Sequence, residues 1–122
     1  MRMTKIVIPV SDEKSGILSA HFGRAPFFAW FEIKEGKVID RGVVPNDSEH
    51  FGGSGLPPQR ILTLNPDAVI TLGMGMRAIS MFQEPGVAVL KAKGDDVEKN
   101  IAFFIEGELE ELTEGCLHAR DH

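Results

Sequence analysis

An α/β fold, with helices on both faces of a mostly parallel sheet, is predicted by three features of this chain. Two short runs, KIVIPV at residues 5–10 and AVITL at residues 68–72, are almost continuously apolar and rich in β-branched residues, as in strands buried on both faces. A third stretch, FFAWFEI at residues 27–33, is followed by Lys34-Glu35-Gly36-Lys37 and then by residues 38–44, which reads as a hairpin around a glycine turn. From residue 57 onward, helical spacing alternates with strand-like runs, and right-handed crossovers then place helices on both sides of the sheet.

Each element has its own signal. The strand at 5–10 stops at the polar segment 11–16, which ends in Gly16. Residues 38–44 carry Asp40 and Arg41, the polarity expected of an edge strand. Since strands two and three form a hairpin, one of them must run against the first. Pro57 and Pro58 suit the first turn of a helix, where a missing N–H costs nothing. That helix is expected to reach about Leu64 and to stop at Asn65-Pro66. After the strand at 68–72, Gly73-Met74-Gly75-Met76-Arg77 turns into a second helix with Ala78, Ile79 and Phe82 on one face, ended by Glu84-Pro85-Gly86. A fifth strand spans 87–90. Asp95-Asp96-Val97-Glu98 resembles a capping box with an aspartate as the cap, and Val97, Ile101, Phe104 and Ile105 mark an amphipathic helix. One α/β domain over residues 1–106 is therefore expected, followed by an acidic tail at 107–122.

The chain has 122 residues, 43% of them hydrophobic and 25% charged, which fits one soluble domain with a single core. Its net charge of -5 speaks against general nucleic-acid binding, which calls for a basic field. The first apolar run is too short to span a membrane and no small-residue cleavage site follows it, so a cytoplasmic protein without membrane contact is expected. Cys116 is the single cysteine and cannot form an intramolecular disulfide, which suits a reducing compartment.

In a sheet of this kind ligands bind beyond the carboxyl ends of the parallel strands. The loop after the first strand carries His21, Gly23, Arg24 and Pro26: a metal ligand or proton carrier, a flexible backbone point, an anion fork and a stiff lead into the next strand. His21 reads equally as a ligand or as a structural histidine that closes a loop. Gly73, Gly75 and Arg77 open a helix, where free N–H groups attract anions, although glycines serve tight strand-to-helix packing too. A third fingerprint glycine and a lysine–serine pair are both missing, which argues against a nucleotide. His50 lies in the glycine-rich loop 45–55 after strand three, either a flap over the site or a solvated loop. The loop 91–94 leaves strand five, so four loops are expected at one edge. Met81 is expected to pack, while Met74 and Met76 read either as packing or as soft ligands. Cys116, His118 and His122 offer ligands on the tail but lack the four placed ligands of structural zinc. No nucleophile elbow or carboxylate pair is present, and acidic neighbours disfavour the Cys116 thiolate. An enzyme is not expected.

The segment from Ser19 to Phe28, SAHFGRAPFF, following KIVIPV, together with Gly73-x-Gly75-x-Arg77-Ala78 following AVITL, resembles the dinitrogenase iron–molybdenum cofactor biosynthesis family over nearly the whole domain. The resemblance implies a ribonuclease H-like α/β layer and a mixed five-stranded sheet of order 3-2-1-4-5 with strand two antiparallel. It implies a carrier of an iron–molybdenum or other molybdenum or iron–sulfur cluster. His21 would be a ligand and Arg24 and Arg77 the clamps, with Gly23, Gly73, Gly75 and His50 around the cluster. Many members carry a histidine-rich C-terminus, of which Cys116, His118 and His122 are the remnant here, making Cys116 and His118 further metal candidates. Cluster donor and acceptor proteins would be the partners of a monomer or weak homodimer. The alternative is a metal-free module that binds a small anion or a protein partner. A nuclease of similar fold would need carboxylates on the central strands to hold magnesium, and residues 6–10 and 68–72 contain none.

Overall fold

Strand β1 (Thr4–Val10) forms the middle of the sheet, because nearly every side chain on it is apolar. Ile6, Val7, Ile8 and Val10 are all fully buried. The computed structural model describes residues 3–46 and 56–112. Beside β1 lie β2 (Phe27–Lys34) and β4 (Ala68–Thr71), with β3 (Lys37–Pro45) and β5 (Ala88–Lys91) outside them. The order is β3-β2-β1-β4-β5. β2 runs antiparallel to both β1 and β3, while β4 and β5 run parallel to β1. The expected mixed sheet is therefore present, with the polar third strand at one edge. The hairpin turn holds Glu35 at φ 54° and Gly36 at φ 77°, the paired left-handed geometry of a two-residue connection.

Helices cover both faces. On one side α3 (Val97–Ile105) places Val97 and Ile101 against Ile6, Ile8, Phe31 and Ile70. On the other, α1 (Pro57–Leu62) and α2 (Met76–Gln83) bring Ile61, Ile79 and Phe82 against Val7, Phe28, Val69 and Val89. The cap of α3 is Asp96, whose Oδ1 accepts from the Lys99 N–H at 2.9 Å. The first helix is shorter than expected. It ends at Leu62 instead of near Leu64, and the N–H groups of Leu64 and Asn65 then turn back to the carbonyls of Ile61 and Leu62.

Two departures bear on the site. The β1–β4 ladder joins Ile6 with Ala68 and Val7 with Val69 and goes no further. Pro9 follows, with no N–H to give, in a position where a central strand rarely carries proline. The ends of these two strands are thus not tied together at the edge where their loops emerge. Residues 109–112, assigned to the tail by sequence, lie along β5. The Lys91 N–H donates to the Glu110 carbonyl (2.8 Å) and the Leu112 N–H to the Val89 carbonyl (2.7 Å). Leu109 packs against the α3 side of the core and Leu112 against the other.

Candidate functional site

The chain beyond β1 is held in place before it reaches His21. The Ser11 N–H donates to the Ile17 carbonyl, the Ser19 N–H to the Pro9 carbonyl, and the Leu18 N–H to the Asp95 carbonyl ahead of α3. Ser19 Oγ then accepts the His21 N–H (3.3 Å) and lies 3.2 Å from the His21 carbonyl, to which it donates. A single 3₁₀ turn, Phe22–Arg24, follows. Its first residue, Phe22, is 7% exposed and points inward, with its ring centroid 6.2 Å from Phe28 on β2 and 5.9 Å from Phe82 on α2. The inward ring leaves its neighbours His21 and Arg24 exposed on either side. From the end of β3, the buried Asn46 side chain donates to the carbonyls of Ala25 (2.8 Å) and Gly23 (3.4 Å), and its backbone N–H donates to the Pro26 carbonyl.

The opposing wall comes from β4 and α2. Buried Thr71 donates its hydroxyl to the Gly73 carbonyl at 3.0 Å, which fixes the turn. Met74 packs beneath it at 2% exposure. Gly75 is the N-cap of α2 and brings no capping side chain, and the first helical bond runs from the Ile79 N–H to the Gly75 carbonyl. The amides of Arg77 and Ala78 therefore have no partner within the helix, as at any helix start. A third wall is the start of α1, where Pro57 and Pro58 are buried and Gln59 Oε1 accepts the Leu56 N–H at 2.7 Å.

These three walls enclose a cleft of about 490 Å³. Its lining brings together six of the residues singled out by sequence: His21, Gly23, Arg24, Gly73, Gly75 and Arg77. It adds Ala20, Phe22, Leu56, Pro57, Pro58, Ala78 and Met81, which the sequence reading did not place there, and Met74, which that reading left open between packing and a soft ligand. Among the described residues no carboxylate lines the cleft, where a chain of net charge -5 presents two guanidinium groups. Among the described residues, neither Arg24 nor Arg77 is engaged in an ion pair.

The reasons expected for the glycines change. Gly23 sits in the 3₁₀ turn and does not have a positive φ, so it is not there for an unusual backbone shape. Gly75 has φ -71°, and a Cβ added to it would meet nothing within 4 Å. The glycine at the start of α2 thus leaves open room beside the helix amides.

Other expectations are not met at the cleft. The loop at 91–94 leaves the same edge but turns toward α3, where the buried Asn100 side chain accepts the Lys93 N–H and donates to the carbonyls of Lys93 and Gly94. His50, Cys116, His118 and His122 lie outside the described residues. Among the described residues no three His, Cys, Asp or Glu side chains form a metal-binding group. Up to Leu112 the chain runs antiparallel to β5, away from the cleft edge.

Asn46 has no local signature, since its partners lie more than twenty residues earlier. The Pro57-Pro58 pair was readable as a helix start but not as a wall. Among the described residues, no helix is long and apolar enough to cross a membrane.

The sequence matches a family model described as dinitrogenase iron-molybdenum cofactor over residues 4–107. An uncharacterized protein of Methanocaldococcus jannaschii is 28% identical over 114 residues, covering 92% of this chain and 94% of the relative. The 1.70 Å crystal structure of an M. jannaschii protein described as a candidate dinitrogenase superposes with a TM-score of 0.77 at 26% identity, over 93% of this chain and 99% of that one. An NMR structure of a Thermotoga protein described as a candidate NifB protein gives 0.68 at 30% identity, over 90% and 94%.

Proposed function

This chain belongs to the dinitrogenase iron–molybdenum cofactor family, and from that membership and the make-up of its cleft we propose that it is a non-enzymatic carrier of a preassembled, anionic metal–sulfur cluster. The observation that carries the reading is the convergence of His21, Arg24 and Arg77 on a cleft to which the described residues bring no carboxylate. A bare metal ion asks for three or four protein ligands at fixed distances, and the described cleft offers one imidazole. A cluster brings its own sulfide ligands and needs only one or two replaced, while its negative charge is met by arginine and helix amides. Containment within three walls restricts solvent around the cargo, and the open mouth suits transfer to an acceptor protein after loading by a donor.

The cargo class is an iron–molybdenum precursor or a related molybdenum or iron–sulfur cluster. Such a carrier would work as a monomer or a weak homodimer. The test is binding of tetrathiomolybdate, a soluble anion of the right chemistry, followed by visible absorption under anaerobic conditions and by equilibrium dialysis. His21→Ala should lower affinity at least about ten-fold, while thermal stability changes by less than about 1 kcal/mol, as for other exposed positions. Parent-like binding by the variant would remove His21 as a ligand. No binding by the parent would overturn the carrier reading in favour of a metal-free partner module.

A further inference from the structure

We infer that the methionine-lined side of the cleft, Met74 and Met81, makes it selective for anions whose outer atoms are sulfur over oxoanions of equal charge and shape; the inference rests on the carrier reading above. Charge alone gives no such choice, since Arg24 and Arg77 attract any compact dianion. The choice lies in the walls. Two helices begin at this cleft, and helix starts ordinarily offer donors to an anion. Only α2 does so here. At α1, Pro57 and Pro58 have no N–H, and that of Leu56 is already taken by Gln59 Oε1 at 2.7 Å. Among the described residues, the larger side chains of the lining other than His21 and the two arginines are hydrocarbon and thioether: Phe22, Leu56, Pro57, Pro58, Met74 and Met81.

A tetrahedral oxoanion in this cleft would turn some of its oxygens toward that surface and lose their water without gaining a donor, a cost paid for each unpaired polar atom. An anion covered in sulfur is larger, more diffuse in charge and weakly hydrated. It loses little on leaving water and gains dispersion contacts with polarizable thioethers. Met74 is held in the floor at 2% exposure, whereas Met81 is half-buried on α2 and is the more freely substituted of the two.

Tetrathiomolybdate and molybdate share charge and tetrahedral shape and differ only in sulfur for oxygen. Equilibrium dialysis with metal analysis should find the thioanion bound about a hundred-fold more tightly by the parent, the equivalent of two oxygens left against hydrocarbon. Met81→Gln, similar in length but polar, should reduce that ratio about ten-fold, and Met81→Leu, which keeps the volume, about three-fold. Arg24→Gln should weaken both anions and leave the ratio alone. Equal affinity of the parent for the two anions would overturn the selectivity while the carrier reading stands. An unchanged ratio in folded Met81→Gln and Met81→Leu proteins would overturn the role of the thioether. Failure of the parent to bind the thioanion at all would remove the carrier reading and this inference together.

Discussion

Phe22→Ala is the substitution that most directly tests how the site is built. The ring is 7% exposed and meets Phe28 and Phe82 at 6.2 and 5.9 Å between centroids. Truncating a buried phenylalanine costs roughly 3–5 kcal/mol in a core that cannot relax, of which aromatic pairs supply about 0.5–1.5 each. Phe22 belongs to a loop, however, and a loop can detach while the sheet stays folded. Among its remaining ties are the Ser19 N–H to the Pro9 carbonyl (2.9 Å) and the Asn46 side chain to the Ala25 carbonyl (2.8 Å), one on each side of the turn. Global stability should therefore fall by about 2–3 kcal/mol, the low end of the core range, because opening the loop limits the loss. Binding should suffer more than stability, because His21 and Arg24 flank the ring and lose their fixed separation from Arg77. Urea denaturation would give the first quantity and dialysis of tetrathiomolybdate at a urea-free, fully folded condition the second. Phe22→Leu keeps most of the apolar volume and should cost less than about 1.5 kcal/mol with binding largely retained. A Phe22→Ala protein with the parent's urea midpoint and the parent's affinity would show that the ring does not anchor the loop.

Three further outcomes are expected. Arg24→Gln and Arg77→Gln should each weaken tetrathiomolybdate binding about ten-fold or more, and added salt should weaken the parent more than either variant; equal salt dependence in dialysis would place the arginines outside the binding interaction. Gly42→Ala would set a Cβ 2.5 Å from Cζ2 of Trp30, which lies across that glycine from β2, so the ring must move. Stability should drop by about 1–3 kcal/mol with a shift in emission from the single tryptophan, and unchanged emission would contradict the packing. A chain ending after Leu112 should denature like the parent, whereas one ending after Glu106 uncovers the β5 edge and loses Leu109 and Leu112, at a cost of about 2–4 kcal/mol for two half-buried leucines. Identical urea midpoints for the two truncations would refute a structural role for residues 109–112.

The parts of this protein that were legible in its sequence are those whose physics is local. Continuous apolar runs at 6–10 and 68–71 can only be strands with both faces covered, and the spacing of Val97 and Ile101 can only turn one helical stripe inward. The order of the strands was not local. It came from resemblance, and the ladders agree with it. The length of α1 was misjudged because Thr63 and Leu64 continue a helical pattern while the backbone has already turned back on Ile61 and Leu62. Residues 107–112 read as a solvated tail because four of the six are glycine or glutamate, yet two leucines in the right positions suffice to dock them on β5.

The candidate site divides along the same line. His21, Arg24 and Arg77 stood out because charged and imidazole groups in loops at strand ends have few structural reasons to be there. Their supports were hidden, since each does its work through groups distant in sequence. Phe22 looks like any core aromatic until its ring is seen between β2 and α2. Asn46 looks like a turn residue until its amide is seen holding carbonyls 21 and 23 positions earlier. Pro9 was written into a strand as if it were another apolar residue, but its missing N–H falls where the ladder to β4 stops. That last point joins fold to site: β1 and β4 carry the loops with the two arginines, the ladder between them stops after Val7, and the Pro9 carbonyl is taken instead by the Ser19 N–H at the start of the loop that carries His21 and Arg24.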